Sequence, residues 1–211
     1  GSETDANGPG FYHCIALGHG TLVTAPSMLR VGNGATVSIG GPVGWSTISD
    51  GRVKKNIRED IPGLDFINKL RPISYNIDLA AVDGIVKPPV HKTGTALLTA
   101  GSGQPATAEK PRSPQMIAAR KAKERILYTG FAAQEVEQAA QSLRFSFSGV
   151  DAARGDKDLY SLRYGAFVAP LTKAVQELSA QNDQLKEENK KLLKQSEEIL
   201  RRLALLRQKT N

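Results

Sequence analysis

From Val168 onward the chain follows a heptad pattern. Val168, Val175, Asn182, Asn189, Ser196 and Leu203 take the first core position of successive heptads, and Leu171, Leu178, Leu185, Leu192, Ile199 and Leu206 take the fourth. No Gly or Pro interrupts the pattern after Pro170, so it predicts one long helix over 166–211 with a self-associating seam. Such a helix needs about 60 Å of apolar cover at 1.5 Å per residue. No other segment is long enough to supply it, so copies of the same helix are expected to do so. Asn182 and Asn189 meet their own counterparts only in parallel, in-register chains. Buried Asn favours two strands, whereas Leu193 and Leu200 beside the seam widen the apolar stripe and favour more.

Ahead of residue 46 the period is different. Short apolar bursts alternate with glycine: Ile15-Ala16-Leu17-Gly18-His19-Gly20, Leu29-Arg30-Val31-Gly32-Asn33-Gly34 and Val37-Ser38-Ile39-Gly40-Gly41. This pattern predicts short strands joined by tight turns. It resembles the β-solenoid-like heads and stalks of trimeric surface adhesins. Strands this short and glycine-rich cannot cover their own apolar face, so partner chains are expected to complete the segment. Between the two ends the pattern predicts a short helix near 63–70, a strand near 73–77, an insertion over about 81–125, a strand near 126–128 and a helix near 134–142. The insertion reads as a mobile loop with a helical stretch near 115–126. Phe145, Phe147 and the stretch from Tyr160 to Tyr164 are expected to supply most of the aromatic surface of a small core. The predicted class is α+β: a glycine-rich β stalk over 1–45, a small mixed α/β body over 46–165 and a C-terminal coiled coil over 166–211.

Composition narrows the function classes. With 211 residues, 40% apolar and only 6% aromatic, the chain suits a modest globular body with an elongated tail rather than one large globule. The net charge of +7 first suggests nucleic acid. Yet residues 84–127 carry eight Lys or Arg against two Glu, a net +6, so nearly all the excess sits in the insertion. No aromatics are interleaved there and no binding motif follows, which argues against nucleic-acid recognition. His13, His19 and His91 are scattered without Cys, Asp or Glu at ligand spacing, so no metal or other cofactor is expected. Gly18 and Gly20 lack the strand-to-helix context and the Lys-Ser/Thr of a phosphate loop. Cys14 is a lone cysteine, expected to be a small buried apolar residue. No segment reaches the 18 to 20 or so apolar residues that span a bilayer. Gly1-Ser2 reads as a tag remnant, and the chain as a piece of a longer protein.

The most chemically loaded stretch is Ser49-Asp50-Gly51-Arg52-Val53-Lys54-Lys55-Asn56-Ile57. A serine hydroxyl is a poor nucleophile without an adjacent base, and serine with lysine is one solution to that problem. Five residues do not fall on one face of a helix, and they fall on opposite faces of a strand. Ser49 and Lys54 therefore meet only across a turn, which Gly51 permits. The alternative is structural, since Ser followed by Asp often just caps a helix.

That stretch is followed by Gly63-Leu64-Asp65-Phe66-Ile67, Leu70-Arg71-Pro72 with Tyr75, and Gly130-Phe131-Ala132-Ala133-Gln134-Glu135-Val136. Together, and in this order before a terminal coiled coil, these motifs resemble the C-terminal intramolecular chaperone domain of phage endosialidase tail spikes. The same self-cleaving domain occurs in other tail fibres, in bacterial surface proteins and in a myelin regulatory transcription factor. The resemblance covers about residues 46–180, interrupted by the insertion. It implies that Ser49 attacks the carbonyl of Ile48 with Lys54 as base, cutting the Ile48–Ser49 bond and releasing the chaperone from the part upstream. To act as a base near neutral pH, Lys54 must lose its proton through burial or neighbouring positive charge, for which Arg52 and Lys55 are at hand. Asp50 and Asn56 match the motif and are expected to shape the turn. The GFAAQEV stretch is expected to be structural: the end of a strand, a packed Phe131 and the start of a helix.

The resemblance also implies a homotrimer whose folding client is its own upstream β stalk. Three interwoven chains must set their register before non-local contacts form, and a zipped coiled coil raises the effective concentration of the attached segments. Expected surroundings are a cell surface or a phage or prophage fibre. The competing reading is a trimeric stalk or foot of a fibre or adhesin that no longer cuts. A membrane-tethered transcription regulator released by the cut would need a DNA-binding segment, and none is evident.

Overall fold

The computed structural model describes residues 5–6, 11–86 and 113–209. In chain order its elements are β1 (Asp5–Ala6), β2 (Ile15–Leu17), β3 (Leu22–Val23), β4 (Leu29–Val31), a 3-10 turn (Gly51–Val53), α1 (Leu64–Ile67), β5 (Ile73–Tyr75), α2 (Leu79–Val86), α3 (Pro114–Glu124), β6 (Tyr128–Gly130), α4 (Ala133–Ser142), β7 (Val150–Asp151), β8 (Ser161–Leu162), a second 3-10 turn (Tyr164–Phe167) and α5 (Val168–Lys209). The chain is mixed α and β with small sheets and one long C-terminal helix. It divides into two units: residues 1–55, 72–134 and 150–162 form the first, and 56–71, 135–149 and 163–211 the second.

The first unit begins with a roll of short parallel strands. β2 pairs with β4, placing Ile15 opposite Leu29 and Leu17 opposite Val31, and β1 pairs in parallel with β3. Parallel neighbours joined by a short loop and no helix form a coil, and the β2–β4 register makes one coil 14 residues long. Glycine recurs at the same interval. Gly18 (φ 112) and Gly32 (φ 79) both sit in the left-handed region, and the Gly32 amide donates to the Leu17 carbonyl at 2.8 Å. Side chains at these two positions would be strained, which is why both are glycine. Thr21, 1% exposed, fixes the first corner by donating to the Leu17 carbonyl at 2.9 Å. Val23, Ala25 and Met28 fill the inside with Phe11, Cys14 and Ala16, while Ile15, Leu17 and Leu29 face outward and are exposed. The strand expected at Val37–Ile39 does not form. It begins eight residues after the start of β4, too soon to repeat the β2–β4 offset, and residues 37–60 are exposed throughout.

The same unit contains the antiparallel pair β5–β6, with Tyr75 opposite Tyr128 and their rings stacked at 5.9 Å. The near ends of the insertion are helical. Asp78 caps α2 by accepting from the amides of Ala80 and Ala81 at 2.8 and 2.9 Å. Ser113 caps α3 ahead of Pro114, which has no amide hydrogen to leave unpaired. Arg120 ties the two helices together, donating to the Leu79 carbonyl and to Asp83, both at 2.8 Å. α2 was not expected from the sequence. The rest of the insertion, 87–112, with Lys87, Lys92, Lys110 and Arg112, lies outside the described residues.

The second unit is built on Phe66. It is fully buried, with Phe145 and Phe147 at 5.3 and 4.9 Å, and Phe147 meets Phe167 edge-on at 4.9 Å. α1 sits against the first turns of α5, and Glu177 of α5 accepts from the Leu64 amide at 2.8 Å, capping a helix too short to cap itself. Gly63 permits that approach, since a Cβ there would lie 2.7 Å from the Ala174 nitrogen. From Val168 to Lys209 α5 runs 42 residues, about 63 Å at 1.5 Å per residue, most of it beyond this contact. Pro170 stands in its first turn, where no helical amide is lost. Leu171, Val175, Leu178, Leu185, Leu192, Ile199, Leu203 and Leu206 are all exposed along the helix in this single chain. Among the described residues no helix is long and apolar enough to cross a membrane.

Candidate functional site

The sequence places Ser49 and Lys54 five residues apart, and the chain brings them together by a single 3-10 turn. Asp50 starts it: its Oδ1 accepts from the Arg52 amide at 2.9 Å. The amides of Val53 and Lys54 then donate to the carbonyls of Asp50 and Gly51, both at 3.2 Å. The turn carries the Lys54 side chain back over Ser49, and Lys54 Nζ lies 3.0 Å from Ser49 Oγ. This is hydrogen-bond reach, the geometry a nucleophile and its base require.

The remaining motif residues have distinct places. Arg52 grips Asp50 with Nε at 3.1 and 3.0 Å from the two carboxylate oxygens and Nη2 at 2.5 Å from Oδ2. The side-chain hydrogen bonds from Arg52, reinforced by its amide, hold the Asp50 carboxyl below its ordinary range, and Asp50 in turn raises Arg52. Arg52 is thus engaged by Asp50, which leaves Lys55 as the neighbouring cation in sequence. Asn56 has φ 54, a left-handed conformation that Asn tolerates better than most residues. Ile48, on the acyl side of the candidate scissile bond, is 86% exposed. Ser49 and Lys54 are exposed as well.

Chemically, the pair offers a hydroxyl and an amine in contact, next to a peptide carbonyl. A single chain does not bury the pair. The amides of Arg52, Val53 and Lys54 are spent on the turn itself, so they do not serve a developing oxyanion at Ile48. Among the described residues no group of three or more His, Cys, Asp or Glu could hold a metal ion.

Sequence reasoning did not foresee the contact between two of the quoted motifs. Arg71 of Leu70-Arg71-Pro72 makes a two-pronged ion pair with Glu135 of the GFAAQEV stretch, with Nε 3.0 Å from Oε2 and Nη2 on Oε1. Their opposite charges were the available signal. The same stretch closes β6 at Gly130 and opens α4 at Ala133. No family model, curated protein or solved structure matches the chain.

Proposed function

We propose that this chain is a self-cleaving intramolecular chaperone: it associates through α5, templates the folding of a fibrous β region that includes residues 1–45, and cuts itself at Ile48–Ser49. The observation that carries this reading is the 3.0 Å contact of Lys54 Nζ with Ser49 Oγ, at a point of the sequence that follows a strand roll and precedes a helix with an uncovered apolar seam. In the reaction, Ser49 Oγ adds to the Ile48 carbonyl carbon while unprotonated Lys54 takes the hydroxyl proton. Lys54 returns that proton to the departing Ser49 nitrogen, leaving an ester between Ile48 and Ser49 Oγ. Water hydrolyses the ester to a carboxylate on Ile48 and restores the serine hydroxyl, now on a residue with a free α-amine. The order is assembly first and cutting second, because Ser49 and Lys54 are both exposed in the single chain and a partner surface is needed to exclude water from the site. Removal of the template then leaves the client kinetically trapped.

Exposure of the dyad favours a second reading, an uncut trimeric foot of a fibre. A denaturing gel with intact-mass measurement separates the two. On the first reading, wild-type protein yields pieces 1–48 and 49–211, while Ser49→Ala and Lys54→Ala stay whole. A single intact wild-type band supports the foot, and equal cutting in both variants removes the dyad from the mechanism.

A further inference from the structure

The thread that joins the strand roll to Ser49 is uncovered, since residues 37–60 are exposed throughout. The roll is held instead by residues far beyond that thread. Asp158, in the connection between β7 and β8, is 8% exposed. Its Oδ1 accepts from Thr24 Oγ1 at 2.7 Å and lies 4.0 Å from the Arg30 guanidinium on β4, and its Oδ2 accepts from the Arg154 amide at 3.1 Å. Arg154 in turn donates through Nη1 to the Pro26 carbonyl at 3.0 Å. From α3, Lys123 Nζ donates to the Thr36 carbonyl at 2.6 Å. Arg120 lies so close that a Cβ on Gly34 would come within 2.9 Å of its Nη1.

These contacts share a logic. Arg154 and Lys123 end on main-chain carbonyls, so they read the path of the coil rather than its side chains. Asp158 adds a buried carboxylate that accepts a hydroxyl and an amide, a charge-assisted arrangement that is costly to leave half-made. All the gripping groups come after Ser49 in the chain, and all the gripped ones before Ile48.

We propose that Asp158, Arg154 and Lys123 form a latch by which the body after Ser49 holds the roll before it. A cut in the exposed thread leaves the two pieces bound, and opening of the latch, not the cut, sets when the roll is free. The proposal rests on self-cleavage at Ile48–Ser49 only for the moment at which the latch matters; the grip itself is independent of it.

The test therefore makes the cut by other means. In the full chain carrying Ser49→Ala and a C-terminal affinity tag, a recognition sequence for a site-specific protease is inserted between Gly40 and Gly41, both exposed. After complete cutting, the tagged body is immobilised and retention of the 1–40 piece is followed. The piece is expected to stay bound. Asp158→Asn should weaken its retention roughly 10- to 100-fold, and Thr24→Val and Lys123→Ala several-fold each, from the loss of hydrogen bonds to a buried or charged partner. Should Asp158→Asn fail to fold, Thr24→Val and Lys123→Ala decide the matter. Immediate loss of the piece from the parent chain overturns the latch, as does retention in the variants as tight as in the parent. Self-cleavage of the wild type is read separately on a gel, so a chain that latches but does not cut, or cuts but does not latch, is recognised as such.

Discussion

Asp158 shows how one side chain can hold a charge in a protected place. Burial works against its ionised form, but hydrogen bonds from Thr24 and from the amides of Arg154 and Leu159, with the Arg30 guanidinium nearby, together keep its carboxyl below the ordinary range. A carboxyl more acidic in the folded chain than unfolded, where it titrates at about 3.9, contributes stability that is complete above that pH. The contribution is lost as pH falls through the folded-state value. The urea midpoint of the full chain should therefore drop below about pH 4, and Asp158→Asn should flatten that drop while lowering the midpoint at pH 7. An equally steep fall in the variant would place the acid sensitivity elsewhere. Asp50 and Glu135 are also held low, by Arg52 and Arg71 respectively. Both pairs lie at the surface, and surface pairs add little to stability.

Among the elements, α1 depends most on its surroundings. Four residues of helix cannot persist alone; this helix is held by Phe66 within an aromatic cluster and by Glu177 at its start. Gly63→Ala should cost about 1–3 kcal/mol through forced displacement of α5, and Phe66→Ala about 3–5 kcal/mol through lost burial and a cavity. Urea unfolding at fixed protein concentration measures both, and a neutral Gly63→Ala would show that α1 can shift along α5 without loss. How far such elements can be read in advance depends on the range of their determinants. The helix of α5 was legible because its heptads repeat six times, and α1, β5, β6 and α4 were legible to within a few residues from local period and glycine boundaries. The turn joining Ser49 to Lys54 was legible only as a condition of their meeting, which Gly51 permits; its start at Asp50 comes from the structure. The pairs Arg71–Glu135 and Thr24–Asp158 join residues 64 and 134 positions apart. No sequence period links such partners, so tertiary packing alone selects them. α2 escaped notice because its cap, Asp78, precedes a segment that reads as insertion, and its anchor, Arg120, comes from the far side of that insertion.

At the scale of the whole chain, two of the uncovered apolar surfaces among the described residues bear on the proposed cut. One is the α5 seam; the other is the thread around the dyad, where Val43, Trp45, Ile48 and Ile57 are each at least 75% exposed. Fully burying a side chain of this size is worth about 1.5–3 kcal/mol, so on the proposed function zipping of the seam by copies of α5 supplies a large, concentration-dependent drive. It also brings copies of the thread together at high effective concentration. The proposed function ties these surfaces into one causal order: the seam closes, the threads are covered, Lys54 is dried and the serine reacts. Leu185→Asp with Leu192→Asp places two carboxylates per chain in the middle of the seam, more than 130 residues from Ser49. The variant should sediment at the mass of one chain at micromolar concentration and give a single band on a denaturing gel. Fusing an unrelated trimeric coiled coil after its last residue should restore both association and the cut. Cleavage by the monomeric variant at the wild-type rate would break that order, because it would show that one chain completes the site without a partner.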